Sequence, residues 1–216
     1  MDKKQVIEAI KKARESPKKR KFSQSIDLII NLKEFDTKRE AKVEDFIALP
    51  NGRGKDAKVC GLVGLEMKNM IGDFDKVIMI NDFGKYTNPR KARKLARSYD
   101  FFIGQAELMP QIAKSFGKYF GPIGKMPNPK GGQIVPSKIL NLTPILQRLK
   151  KTSKITVAKV PIASCRIGDE KMDNEKLAEN IVFAIDHIEH ALPRGKANIK
   201  NIIIKTTMGA PVKVEQ

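Results

Sequence analysis

Apolar residues recur along this chain with two different periods, and the period changes where the elements are expected to change. Val6, Ala9, Ile10 and Ala13 keep the i, i+3, i+4, i+7 spacing of an amphipathic helix. Ser16-Pro17 should stop it, because a residue before proline is pushed out of the helical region. Over residues 22–33 the period becomes two. Ile26, Leu28, Ile30 and Leu32 fall on one face, while Ser23, Ser25, Asp27 and Asn31 fall on the other, with Phe22 at the head. Residues 42–49 and 58–65 read as further strands, separated by the basic glycine-rich loop Pro50-Asn-Gly-Arg-Gly-Lys55.

From residue 66 to 157 short strands and helices alternate, the pattern of a parallel sheet with crossover helices. Residues 76–80 and 101–103 are its strand candidates. A helix over residues 89–99 places Ala92, Leu95, Ala96 and Tyr99 inward and leaves Arg90, Arg93, Lys94 and Arg97 outside that stripe. Residues 117–132 hold five glycines, three prolines and three lysines, which reads as a loop shaped by its backbone. Thr143-Pro144 should open a helix, threonine as cap and proline at the first position, with Ile145, Leu146 and Leu149 inward. Residues 155–160 read as a strand. Leu177, Ile181, Ala184, Ile185, Ile188 and Leu192 mark a long helix over residues 173–192.

The last strand is the most informative. Ile202, Ile204 and Thr206 alternate with Asn201, Ile203, Lys205 and Thr207, and the run ends in Thr207-Met208-Gly209. A hydroxyl, a flexible thioether and unobstructed main-chain amides are groups that a nucleic-acid backbone can use.

Charge turns this into an argument about partners. Among 216 residues, 42 Lys and Arg stand against 24 Asp and Glu, a formal net charge of +18. Such an excess points to a polyanion. No apolar run reaches the roughly 18–20 residues of a spanning helix, and the start Met-Asp-Lys-Lys carries no apolar signal region. Cys60 and Cys165 lie far apart, outside any CxxC, and read as reduced thiols of a cytosolic protein. With no tryptophan and 6% aromatics, stacking of many single-stranded bases is not expected; folded RNA or duplex backbone is. The basic run Lys18-Lys-Arg-Lys21 leads directly into the first strand, and the one-sign face of Arg90, Arg93, Lys94 and Arg97 is a second electrostatic surface.

Motifs of catalysis dissolve on inspection. Gly121-Pro-Ile-Gly-Lys125 lacks the first glycine and the hydroxyl of a phosphate loop. Asp82-Phe-Gly84 stands without the rest of a kinase signature. His187 and His190 sit at i, i+3 without further ligands in sequence, the pattern of a surface or partly packed pair. The expectation is a non-enzyme with no catalytic residue, metal or cofactor. An RNA-modifying enzyme with a cofactor-binding middle segment, and a non-specific basic RNA chaperone, are the alternatives.

Lys21-Phe22-Ser23-Gln24-Ser25 before an apolar strand, Gly121-Pro-Ile-Gly-Lys-Met-Pro127, and Thr206-Thr-Met-Gly209 occur here in one order. With them the chain resembles, nearly end to end, the family of the large-subunit ribosomal protein numbered one, the protein of the lateral stalk beside the tRNA exit site. Its length is similar to that of archaeal members. The resemblance implies a fold of mixed α/β and α+β class with two domains. A discontinuous α+β RNA-binding domain would be built from residues 1–65 and 157–216, and residues 66–156 would form an inserted Rossmann-like, three-layer α/β domain. It implies RNA contacts at Lys21, Phe22, Ser25 and Asp27 on the early strand, and at Asn201, Lys205, Thr207, Met208 and Gly209 on the late one. Relatives often carry threonine where Ser25 stands. Arg166 joins that set on charge and position alone. The implied partners are the large-subunit rRNA stalk, the exit-site tRNA and the protein's own mRNA, whose translation the family represses. A cytoplasmic, ribosomal location, a monomer when free and no membrane partner complete the expectation.

Overall fold

The structure is a computed structural model that describes residues 2–15, 20–34, 43–67, 74–137, 141–157 and 160–214. In chain order its elements are α1 (Lys3–Glu15), β1 (Ser25–Leu32), β2 (Val43–Ala48), β3 (Val59–Val63), β4 (Lys76–Met79), α2 (Pro89–Ser98), β5 (Phe101–Gln105), α3 (Met109–Phe120), β6 (Ile134–Val135), α4 (Thr143–Lys151), β7 (Thr152–Val157), β8 (Ile162–Asp169), α5 (Asn174–Ala191), β9 (Ile199–Thr206) and β10 (Val212–Val214). They form two units, Met1–Asp56 with Lys151–Gln216, and Ala57–Lys150.

The first unit holds a six-stranded sheet in the order β10-β9-β1-β8-β7-β2, antiparallel at every pairing. The two chain ends meet at its centre, where β1 lies between β8 and β9. β1 alternates half-buried and buried residues along its whole length, because an antiparallel sheet can bury one face and leave the other wet. Helices α1 and α5 pack on the buried face, contacting β9, β10, β8 and β2. Val6, Ala9, Ile10 and Ala13 of α1 and the stripe from Leu177 to Ile188 of α5 enter one core with Ile26, Leu28, Ile30, Leu32, Ile202 and Ile204. Each large aliphatic side chain sealed there contributes about 1.5–3 kcal/mol.

The second unit holds a four-stranded parallel sheet, order β4-β3-β5-β6. Every residue of β3 and β5 is buried, so both sheet faces are covered, as parallel sheets require. On one face Phe83, Phe102, Phe116 and Phe120 form an aromatic core with Leu95 and Ile112. Phe102 and Phe120 stack with centroids 4.1 Å apart.

Several elements depart from the sequence pattern. β3, read with the N-terminal part of the first domain, is central to the parallel sheet, and β7, read largely as insert, pairs with β2 in the antiparallel one. The chain therefore crosses between units near residues 56–57 and 150–151. Residues 117–120, expected in a loop, end α3, whose proline and glycine mask its helical stripe Ile112, Phe116 and Phe120. Thr143 is the first helical residue of α4 and donates its N–H to Asn141 Oδ1 at 2.9 Å; Leu146 and Leu149 are buried, while Ile145 is half-buried. β7 starts at Thr152, three residues earlier than expected. β8 and β10 had no counterpart in the sequence reading. Ser16-Pro17, Lys18, Lys19 and Lys42 lie outside the described residues.

Candidate nucleic-acid interface

The face of the six-stranded sheet opposite α1 and α5 collects the polar alternates of its strands. β1 presents Ser25, Asp27, Ile29 and Asn31, and register sets their neighbours. Asp27 lies opposite Arg166 of β8 and Lys205 of β9; Ile29 lies opposite Ser164 and Ile203; Asn31 lies opposite Asn201, whose Oδ1 accepts from Asn31 Nδ2 at 2.6 Å. The β1–β8 register shifts between Ile26 and Asp27. This irregularity keeps Ile167 in the core while Arg166 stands beside Asp27 on the open face.

At one end of this face three chain segments are tied together around Gln24, which is 1% exposed. The N–H of Met208 donates to Gln24 Oε1 at 3.0 Å, the N–H of Gln24 donates to Glu170 Oε2 at 3.2 Å, and the N–H of Glu170 donates to the Gln24 carbonyl at 2.8 Å. The Ser23 hydroxyl donates to Asp169. Thr207 donates its N–H to the Ser25 carbonyl at 3.0 Å, and its Oγ1 accepts from the Ser25 N–H at 3.2 Å. The N–H of Gly209 donates to Thr206 at 3.1 Å, closing the turn. The backbone is thus fixed, yet Phe22 is 54% and Met208 58% exposed. Both large apolar side chains therefore stand largely in solvent at the end of the sheet where the main chain is hydrogen-bonded to Gln24 and Ser25.

Asp27 and its cross-strand neighbours set the local charge. Burial raises the Asp27 carboxyl above its ordinary range, and Arg166 and Lys205 oppose that rise. Arg166 lies 3.9 Å from Asp169 Oδ2 and is mostly covered. Arg166 and Lys205 are thus set against Asp27 and Asp169, so cations and carboxylates alternate across the sheet centre.

Of the expected contact residues, Phe22, Ser25, Thr207, Met208 and Gly209 gather at the end fixed by Gln24. Lys21 is exposed on the approach to it. Asp27, Arg166 and Lys205 form the next row, and Asn201 stands at the far end with Asn31, about 20 Å along β9 from Met208 by strand rise. Gln24 and Glu170 were not singled out from sequence. Gln24 lay within the quoted Lys21–Ser25 motif, but a buried glutamine reveals itself only when its partners are brought to it.

Arg90, Arg93, Lys94 and Arg97 belong to the insert, all exposed on α2. Asn88 Oδ1 accepts from the Arg90 N–H at 2.9 Å to start that helix, and Lys125 Nζ donates to the Ala96 and Tyr99 carbonyls at 3.0 and 2.6 Å to finish it. The lysine that imitates a phosphate loop is therefore bound to a helix end. In the same segment Pro127 is buried, Asn128 donates its N–H to Gln133 Oε1 at 3.0 Å, and Ile123 is exposed.

The remaining decoys resolve similarly. Asp82 pairs with Lys85 at 2.6 Å and Phe83 packs edge-on against Phe116. His187 Nδ1 lies 3.4 Å from Asp45 Oδ2, whereas His190 Nδ1 faces the Asp186 carbonyl at 2.7 Å, so the two rings have different partners. Among the described residues no three His, Cys, Asp or Glu group as metal ligands, and no helix is long and apolar enough to cross a membrane. Both cysteines are buried, and burial pushes each thiol up to about 12. At the carboxyl ends of β3 and β5, where open parallel sheets hold ligands, the Gln105 side chain accepts from the Gly64 N–H at 2.9 Å.

Comparison with known proteins identifies the family. A family described as "Ribosomal protein L1p/L10e family" matches residues 10–210. The protein named "Large ribosomal subunit protein uL1" of Pyrococcus abyssi is 40% identical over 219 residues, covering 99% of this chain and 97% of its own. The proteins of the same name from Thermococcus kodakarensis and Methanothermococcus thermolithotrophicus are 40% and 38% identical, over 100% of this chain and 99% and 100% of theirs.

Proposed function

The chain belongs to the Ribosomal protein L1p/L10e family, and on that premise we propose that it is a structural, non-catalytic component of the large ribosomal subunit whose open sheet face docks on folded rRNA in the cytoplasm. The observation that carries this is the frame around Gln24, which holds exposed Phe22 and Met208 at the joined ends of β1 and β9. Folded RNA is read at close range by shape, through ribose hydroxyls and backbone. A rigid plate with two apolar projections, hydroxyls at Ser25 and Thr207, and a central row of Arg166, Asp27 and Lys205 is suited to that. Lys21, Asn201 and Gly209 extend the contact along the approach, the far end and the turn.

The rRNA site is the lateral stalk near the tRNA exit site, and the protein's work there is mechanical, assisting release of deacylated tRNA. The same face binds a similar structure in its own mRNA and represses its translation, since one surface complementary to one RNA shape binds any RNA that presents it. A tenfold preference for the ribosomal site needs only about 1.4 kcal/mol. No cofactor is required, and the free protein is a monomer made of the domain of both chain ends and the insert, whose Arg90, Arg93, Lys94 and Arg97 add sequence-independent attraction.

The test is a binding titration of the full chain with a short large-subunit stalk-helix RNA, with and without excess tRNA. Retention of the stalk RNA under competition supports the reading, and its displacement favours a non-specific chaperone. The mRNA leader should compete at the same face.

A further inference from the structure

The insert concentrates cations in a second place, beside the arginines of α2. Lys91, Lys94, Leu95 and Ser98 follow the i, i+3, i+4, i+7 spacing on one flank of the helix and line a cavity of about 380 Å³. Lys76 of β4, Lys85 and Tyr86 of the 3-10 segment after it, and Tyr99 beyond α2 complete its lining. Four of these side chains are ammonium groups and none is a carboxylate. Asp82 partly neutralises Lys85 at 2.6 Å. Lys76 Nζ stands 5.8 Å from the Tyr86 ring centroid.

Helix stability does not account for this arrangement. Lys91 lies in the first turn of α2, where the partial positive charge of the helix end disfavours cations, and Lys91 and Lys94 repel each other at i, i+3. An anion in the cavity removes both penalties. The volume falls within the range of small-molecule sites and exceeds what a bare ion needs.

We propose that this cavity binds a phosphate group, with Lys76, Lys91 and Lys94 supplying charge and Tyr86 and Tyr99 walling the attached sugar or base. The group is a phosphodiester of RNA or the phosphate of a free nucleotide. The inference goes beyond the sheet-face reading and does not depend on it, since all of its residues lie in the insert.

Tyrosine emission gives the test, because the chain has three tyrosines and no tryptophan, and two of the three line the cavity. The full chain is titrated at fixed ionic strength with pyrophosphate, with adenosine 5′-monophosphate, with a short single-stranded oligoribonucleotide, and with uncharged adenosine. Saturation by the phosphate compounds below the millimolar range, and not by adenosine, is expected. The double substitution Lys91→Gln/Lys94→Gln should raise the midpoints by about tenfold or more, while Lys11→Gln/Lys12→Gln on α1 leaves them in place. An oligoribonucleotide that saturates below the mononucleotide assigns the site to RNA; one that does not assigns it to a free nucleotide. Met208→Asp should not move this signal, which separates failure here from failure of the sheet-face reading. A flat titration, or midpoints indifferent to the Lys91/Lys94 exchange, overturns the inference.

Discussion

The backbone N–H of Met208 donates to the buried side-chain oxygen of Gln24 at 3.0 Å. A residue near one chain end thereby holds the turn near the other, and the two exposed apolar side chains of the interface depend on that link. Replacing Gln24 by Leu leaves the Met208 amide without this acceptor, which costs about 1–3 kcal/mol. Urea denaturation should show a loss of that size, and stalk-RNA affinity should fall with it. Unchanged stability together with unchanged affinity would remove Gln24 from its organising role.

Met208→Asp probes the surface without disturbing the frame. The side chain is 58% exposed, so folding stability should change by no more than about 0.5 kcal/mol. Against RNA the new carboxylate would be desolvated beside phosphates, weakening binding by roughly 2–4 kcal/mol. A stalk-RNA affinity within about twofold of the parent, a shift of only about 0.4 kcal/mol, would show that RNA does not cover this strand end.

How much of this was legible in the sequence depends on the range of the interaction concerned. Ile26, Leu28, Ile30 and Leu32 announced β1 because alternation is a local consequence of one wet face and one dry face. β8 was invisible because Ser164, Arg166 and Gly168 dilute its apolar alternation, and only pairing with β1 and β7 makes it a strand. Met109–Phe120 hid behind Pro110 and Gly117, whose local preferences lost to burial of Ile112, Phe116 and Phe120. The exposed ends of the plate, Phe22 and Met208, could be named from sequence. The role of the glutamine that ties these ends, and the grouping of Lys76 with Lys91 and Lys94, could not, since the partners lie far apart in the chain.

Acid titration tests the row formed by Asp27, Arg166 and Lys205. Burial raises the Asp27 carboxyl above its unfolded value despite both cations, so the folded protein binds the proton more tightly. Stability from this residue is then fully present below the unfolded value, about pH 4, and is lost as pH rises through the folded one. The parent should lose stability relative to Asp27→Asn as the pH climbs from about 4 toward neutrality, read by urea denaturation at each pH. A difference of opposite slope would mean that Arg166 and Lys205 outweigh burial.

Arg90, Arg93 and Arg97 share the outward face of α2 and should act through charge alone. Changing all three to Gln should lower general RNA affinity and reduce the slope of log affinity against log salt by about 2, at roughly 0.7–0.9 per phosphate contact. An unaltered slope with the same stalk RNA would show that this helix stays away from it.

Gly54 connects the basic loop to the interface from behind. It sits at φ +82, and a Cβ there would stand 2.5 Å from Asp169 Cβ and 2.8 Å from the Asp169 nitrogen. Gly52, at φ +70, would meet only Lys151 Cγ at 3.8 Å. Both Ala substitutions carry the left-handed penalty of about 1–2 kcal/mol, but Gly54→Ala must also displace the end of β8, for a total of roughly 2–4 kcal/mol. Asp169 accepts from Ser23 and lies near Arg166, so that displacement reaches the open sheet face proposed to meet RNA. Urea denaturation should therefore rank Gly54→Ala below Gly52→Ala, and stalk-RNA binding should weaken for Gly54→Ala alone. Equal losses in the two variants would mean that β8 absorbs the added carbon without moving Asp169.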